Sequence, residues 1–179
     1  MASYLKKIFK TDGDAAYPIA VVQYERDGYG IGTEEQLHWA LVVLTGPGMA
    51  GPAFQIFDRT YNDGRVVWNF FDGVLQLGIA TKCLGGVCIG IVKQSELDEF
   101  RKVVAANRPA VKFVGWNCRD WVMETIRLVR EKGWVHTDIA DQETLLPSLK
   151  MASKATKAAY DQSRDASPVV IELEKTTHA

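Results

Sequence analysis

The stretch GWNCRDWVMETIRLV, residues 115–129, places a cysteine where a helix is about to begin. Asn117 is a favourable N-cap residue, and Asp120 stands at the third helical position, as in a capping box. One stripe at helical spacing comprises Cys118, Trp121, Val122, Thr125, Ile126 and Val129. Gly133 is a natural C-terminal stop. The sequence therefore predicts a helix from Cys118 to about residue 132, with the cysteine at the start of its buried face.

The half of the chain that precedes this helix is rich in β-forming residues. Strands are predicted at 17–25, 37–45, 53–61, 65–71 and 86–92. The second of these is apolar on both faces, which is typical of a central strand. It forms an antiparallel hairpin with the third across the turn GPGMAGP, and a long loop connects it to the first. In this order, strands precede helices, which indicates an α+β fold.

Two further helices are predicted around the first. One begins with Ser95 as N-cap and ends at Arg108-Pro109. The other lies within 141–162, with its start at or just before Pro147. We expect a single domain over residues 1–162, with an antiparallel sheet of about five strands packed against two or three helices. The C-terminal tail, 163–179, holds a short alternating stretch that is either an edge strand or disordered.

Composition excludes several classes of function. The chain has 179 residues and a net charge of −1, so no basic excess favours nucleic acid as a partner. No apolar stretch is long enough to span a bilayer, and no signal peptide begins the chain. Three cysteines without framework spacing fit a reducing compartment, so we expect a cytoplasmic protein. Cys83 and Cys88 lack a second pair of ligands, so no metal site is predicted, and no cofactor motif is evident.

Cys118 has two interpretations. As a free cysteine on an apolar stripe it fits the core as a small hydrophobic residue. At the first turn of a helix, however, unpaired N–H groups and the positive end of the dipole stabilise a thiolate. A nucleophilic thiol also needs a base, and the histidines are His38, His136 and His178. His38 differs from the other two because it stands at the start of the most apolar strand, where a neutral surface histidine has no obvious reason to occur.

The motifs HWAL (38–41) and NC (117–118), the latter followed by an aromatic residue at 121, resemble the permuted papain-like group. This group includes the lecithin-retinol acyltransferase-like and NlpC-type families. The resemblance covers roughly 37–132 and implies a base histidine on a strand that precedes, in sequence, a nucleophilic cysteine at a helix N-terminus. It therefore implies a papain-like fold in permuted order, with His38 as the base and Cys118 as the nucleophile.

The resemblance also implies a third polar residue, on the strand after the histidine strand, that orients the imidazole. Gln55 best fills this place, although many relatives have histidine there, and Asp58 on the opposite face is the alternative. Simple hairpin pairing places residue 59 opposite His38, so Gln55 approaches the histidine only with an offset or a bulge. The oxyanion donors are expected from the first-turn amides of the cysteine helix or from near Tyr24.

The implied activity is that of a cysteine hydrolase or acyltransferase. The thiolate would attack an amide, isopeptide or ester carbonyl and form an acyl-enzyme. The expected partner is a small-molecule or peptide-like acyl substrate, and Trp39, Trp116 and Trp121 either line its cleft or belong to the core. The alternative is a non-catalytic binding module that keeps the fold and a vestigial site, an interpretation that the neutral Gln55 favours.

Overall fold

The structure is a computed structural model that describes residues 14–26, 37–80, 82–135, 138–163 and 165–173. The predicted loop at 27–36, His136 and His178 lie outside these residues. The strands are β1 (Ala16–Tyr24), β2 (His38–Val43), β3 (Ala50–Thr60), β4 (Val66–Gln76), β5 (Cys83–Lys93) and β6 (Val170–Glu172). The α-helices are α1 (Leu97–Ala106), α2 (Cys118–Glu131) and α3 (Gln142–Gln162).

The strands form one mixed sheet in the order β4-β3-β2-β1-β5-β6. Neighbouring strands are antiparallel except β5 and β6, which run parallel. The predicted α+β class, with three helices packed against the sheet, is thus confirmed. The predicted sheet is antiparallel with about five strands, whereas the observed sheet is mixed and has six. The reason is the tail: after the helices, the chain returns beside β5 in the same direction as β5, as a helical crossover allows. Residues 170–172 therefore form an edge strand, one of the two alternatives for the tail.

The helices pack against one face of the sheet. Alternate strand residues such as Val21, Leu41 and Phe54 share a buried core with side chains from all three helices. The opposite face carries a second, smaller cluster in which Ala40 and Val42 are fully buried. β2 is therefore buried on both faces, as its apolar run predicts. No helix in the described part of the chain is long and apolar enough to cross a membrane.

The sheet opens at the start of β2. β1 pairs with β2 as far as Tyr24 and His38. The β2–β3 ladder, by contrast, joins only Leu41 to Phe54 and Val42 to Ala53. β3 nevertheless continues alongside β4 to Thr60. β2 and β3 are thus unpaired next to His38, while the β3–β4 hairpin extends further in the same direction.

The first turn of α2 is fixed by the predicted capping box. The Asn117 side-chain oxygen accepts a hydrogen bond from the Arg119 amide at 2.9 Å, and an Asp120 carboxylate oxygen accepts one from the Asn117 amide at 2.9 Å. The other Asp120 oxygen accepts a hydrogen bond from the Gln142 side chain at 2.8 Å. This bond joins the start of α2 to the start of α3, so the position of Cys118 is determined both by its own helix and by a neighbouring one.

The other two predicted helix starts are wrong. Ser95 is not an N-cap: it lies in a 3₁₀ turn, its amide donates to the Asp14 carboxylate at 2.8 Å, and α1 begins at Leu97. α3 begins at Gln142, ahead of Pro147, which lies inside the helix. Asp141 caps this helix by accepting the Thr144 amide at 3.0 Å. A strong cap upstream thus outweighs the single intrahelical hydrogen bond that the proline removes.

Replacing Asn117 by alanine tests the cap of α2. We expect Asn117→Ala to lower the free energy of unfolding by ~1 kcal/mol, because the Arg119 amide loses its acceptor, whereas Asn117→Ser retains most of the stability. Urea denaturation monitored by circular dichroism measures both. Asn62→Ala, at an exposed position of the β3–β4 turn, is the matched control. An Asn117→Ala protein as stable as the control variant contradicts the assigned role of the cap.

Candidate active site

His38 is the first residue of β2 and lies at the opening of the sheet. Its Nε2 is 2.7 Å from the Gln55 Oε1 on β3. An amide oxygen can only accept a hydrogen bond, so Nε2 is the protonated nitrogen of the neutral ring. The other nitrogen, Nδ1, is left as an acceptor. Gln55 therefore selects the tautomer in which the imidazole can take a proton from a neighbouring group.

The neighbouring group is Cys118. The side chains of His38 and Cys118 are hydrogen-bonded, although alternation along β2 assigns His38 to the face opposite the helices. The two meet at the opening, where β3 has separated from β2. The backbone amide of Trp39 also donates to the sulfur. The structure thus brings together all three residues that the sequence analysis selected for the site, namely Cys118, His38 and Gln55.

The ionisation of the two groups is coupled. Burial by itself opposes the thiolate and would raise the pKa of Cys118, but the hydrogen bond and charge of His38, together with the Trp39 amide and Arg26, lower it below the ordinary value. Burial would likewise lower the pKa of His38, whereas its bonds to Cys118 and Gln55 raise it. Both shifts act in the same direction, towards a thiolate next to an imidazolium.

The register of β2 and β3 explains how Gln55 reaches the histidine. Continuing the observed ladder brings Phe57 opposite His38, two residues earlier than simple hairpin pairing predicts. Gln55 is then the diagonal neighbour of His38 on the same face of the sheet. The shift arises in the connection, where the Thr45 and Gly46 amides both donate to the carbonyl of Ala50. No bulge in β3 is needed.

Asp58, the alternative third residue, does not contact the imidazole but forms an ion pair with Arg26 at 3.1 Å. β1 and β3 flank β2. The ion pair therefore connects the residues just after β1 with β3, across the start of β2. The Arg26 charge lowers the pKa of both Cys118 and His38. The sequence analysis missed Arg26, and the only signal was a cation directly after the strand that pairs with the histidine strand.

The capping box at the start of α2 limits which backbone amides can act as oxyanion donors. The Asn117 side chain accepts hydrogen bonds from the amides of Arg119 and Asp120. Among the amides of the first turn, that of Cys118 is not used by this cap and can donate to an oxyanion. Tyr24 stays a candidate for the second donor. Its ring lies 6.4 Å from that of His38, its hydroxyl is buried without a hydrogen-bond partner among the described residues, and burial raises the pKa of this hydroxyl, which therefore keeps its proton.

The three tryptophans that were considered for a substrate cleft are core residues. Trp39 and Trp121 are fully buried, and Trp116 is almost so. The Trp121 indole donates to the carbonyl of Asn107 at 2.8 Å, and the Trp116 indole donates to Glu124 at 3.0 Å. They hold α1, α2 and the preceding loop together and offer little surface to a ligand.

The other two cysteines differ from Cys118 in their electrostatics. Cys83 and Cys88 are buried free thiols on β5. Burial raises the pKa of Cys83 to about 11 and that of Cys88 to about 12. All three sulfurs are shielded from solvent to a similar extent, so the low pKa of Cys118 comes from its neighbours and not from exposure. Within the described ranges, no group of three or more His, Cys, Asp or Glu side chains is arranged to hold a metal ion.

Comparison with known proteins gave no relative for this chain: no family model, no curated protein and no solved structure matches it.

Proposed function

We propose that this protein is a cysteine-dependent hydrolase or acyltransferase that acts on an amide, isopeptide or ester carbonyl. The observation that carries the proposal is the His38 imidazole, which is hydrogen-bonded to the Cys118 thiol and to the Gln55 amide oxygen. This arrangement supports the roles of Cys118 as nucleophile, His38 as base and Gln55 as the group that orients the base. The neutral amide of Gln55 fixes the ring without adding charge.

In the first half-reaction the Cys118 thiolate attacks the carbonyl carbon of the substrate. A carbon–sulfur bond forms, and the carbonyl electron pair moves to oxygen, where the amide of Cys118 donates to it. The tetrahedral intermediate then collapses and breaks the bond to the leaving amine or alcohol. The His38 imidazolium gives its Nδ1 proton to that leaving group. The products are the free leaving group and a thioester on Cys118.

The second half-reaction resolves the thioester. Water or an amine or alcohol acceptor loses a proton to the Nδ1 of His38 as it attacks the carbonyl carbon. Collapse of the second intermediate breaks the carbon–sulfur bond and restores the thiolate beside the imidazolium. Water yields hydrolysis, and an organic acceptor yields acyl transfer. Both outcomes use the same residues, so the acceptor decides the type of reaction.

Two sequence features support this proposal. The histidine strand precedes the cysteine helix, in the order of the permuted papain-like group that the motifs HWAL and NC resemble. A reduced nucleophile is also required, and the three cysteines are unpaired, which is consistent with a reducing, cytoplasmic location. We propose a small-molecule or peptide-like acyl substrate.

The second candidate is a binding module with a vestigial site. The deep burial of Cys118, which is 3% exposed, favours it, because a substrate carbonyl must reach the sulfur. The two candidates differ in the reactivity of the thiol: an active nucleophile is ionised and reached by small electrophiles at low pH, whereas a residual core cysteine behaves like Cys83 and Cys88.

Alkylation by iodoacetamide across a pH series tests the nucleophile. We expect Cys118 to be modified at a lower pH than an ordinary thiol, because its pKa is lowered, while Cys83 and Cys88 stay unmodified there because theirs are raised. Mass spectrometry of peptides locates the adduct. His38→Ala should move the reactivity of Cys118 to higher pH. Equal reactivity of all three thiols in the native protein would favour the binding module.

Substitution of Gln55 tests the orientation of the imidazole. Gln55→Leu removes the acceptor at Nε2, so we expect alkylation of Cys118 at low pH to slow by about five- to tenfold, the value of one hydrogen bond. In Gln55→Glu the carboxylate should raise the pKa of His38, so the imidazolium beside Cys118 should persist to higher pH. Thr60→Val, at an exposed position of the same strand, is the matched control.

The Gln55 experiment has a clear negative outcome. If Gln55→Leu and Thr60→Val have the same effect on the pH profile, Gln55 has no special role in setting the tautomer. Thermal unfolding of each variant, followed by circular dichroism, separates a change in reactivity from a loss of folded protein.

A further inference from the structure

β4 lies at one edge of the sheet, although its sequence is that of an interior strand. β3 is its neighbour on one side, and no described strand lies on the other. Seven of its eleven residues are apolar: Val66, Val67, Trp68, Phe70, Phe71, Val74 and Leu75. They occur on both faces of the strand, a pattern typical of a central strand. The edge of the sheet therefore carries a sequence suited to a strand that is paired on both sides.

β4 also lacks most of the features that protect an edge strand from pairing with another chain. The usual features are a very short strand, a proline, a lysine on the edge or a β-bulge. β6, at the other edge, has only three residues. β4 has eleven residues, pairs with β3 without a register shift, and contains no proline, lysine or arginine. Its single charged residue, Asp72, forms an ion pair with Arg101 of its own chain at 2.8 Å.

The backbone groups on the outer side of β4 can be assigned from its hairpin with β3. The Tyr61 amide donates to the carbonyl of Arg65 at 2.8 Å, so these two residues form a hydrogen-bonded pair. Hydrogen-bonded and non-hydrogen-bonded pairs alternate along an antiparallel ladder, and this one is continuous to Gln76. The odd-numbered residues of β4 therefore bond to β3. The even-numbered residues, 66 to 76, direct their N–H and C=O groups outwards.

The side chains of these even-numbered residues are self-complementary. Val66 and Val74 are 53% and 70% exposed and lie at equal distances on either side of Phe70. When two copies of β4 pair antiparallel about Phe70, Val66 of each copy faces Val74 of the other. The same register sets the Trp68 indole, a hydrogen-bond donor, opposite the Asp72 carboxylate, an acceptor. No two like charges on β4 come opposite each other in this pairing.

We propose that the protein forms a dimer in which the β4 strands of two copies pair antiparallel about a two-fold axis at Phe70. The two sheets then form one continuous sheet. The even-numbered residues from Val66 to Val74 exchange about ten backbone hydrogen bonds with the other copy. A register about Phe71 offers the same backbone groups but sets Val66 against Gln76, so the match between the exposed valines selects Phe70 as the centre.

Sedimentation over a concentration series measures the dimer. The native protein should shift from the mass of one chain to that of two as its concentration rises, because pairing along one strand is a small interface. Val66→Lys with Val74→Lys sets two lysines against each other at both ends of the pair and removes the valine contacts. We expect this variant to dimerise at least about tenfold more weakly. Val66→Glu with Val74→Glu should have the same effect.

Mixing the lysine and glutamate variants tests the register. In a mixed pair every lysine faces a glutamate, so an equal mixture should dimerise although each variant alone stays monomeric. Positions 66 and 74 of one chain are about 27 Å apart along the strand. The recovery therefore cannot arise from an ion pair within one copy.

The matched control is Val111→Lys with Met151→Lys, at positions that are 63% and 43% exposed and lie outside β4. This control should dimerise like the native protein, and circular dichroism checks that every variant is folded. Cys118→Ala should also dimerise normally, so the dimer and the proposed chemistry fail independently of each other. The proposal is overturned by a native protein that is monomeric at about 1 mM, by an equal loss in the control, by a dimer that persists in the lysine variant, or by a mixture that stays monomeric.

Discussion

The hydrogen bond between the His38 ring and Gln55 is the interaction on which the site depends. It joins β2 to β3 beyond the last rung of their ladder, where backbone pairing no longer fixes the distance between the strands. It also determines which imidazole nitrogen carries the proton. The position of the sulfur has a separate origin, because the capping box and the Gln142 side chain hold the first turn of α2. Two independent sets of hydrogen bonds thus converge on one thiol–imidazole contact.

This contact is formed against the effect of burial. For Cys118 and for His38 alike, burial favours the neutral form, but the hydrogen bond and charge that each offers the other outweigh it, so the pKa of Cys118 is lowered and that of His38 is raised. The charge on Arg26 acts in opposite senses on the two, since it favours the thiolate and disfavours the imidazolium. The neutral amide at position 55 adds no charge to this balance, whereas a carboxylate there would favour the imidazolium. Arg26, just after β1, and residue 55 on β3 therefore both influence the ionisation of the pair.

The opening of the sheet also lies near the exposed loop that leads into α2. The separation of β2 from β3 admits the sulfur, and the same separation leaves the β3–β4 hairpin projecting beside the loop that leads into α2. The loop that carries Phe113 and Val114 thus continues directly into the helix that carries Cys118. The proposed site and this exposed loop therefore lie at the same end of the sheet.

The sequence by itself determined the features that depend on local interactions. The α2 helix, its capping box and the central position of β2 follow from short-range pattern and side-chain chemistry, and the structure confirms them. Local rules failed where two signals competed, as at Pro147, where the Asp141 cap prevailed. Only the tertiary structure decided the register that brings Gln55 to His38, the ion pair of Arg26 with Asp58, and the parallel course of β6. Each of these depends on residues far apart in the chain, and pairing energies between them leave no trace in the local sequence.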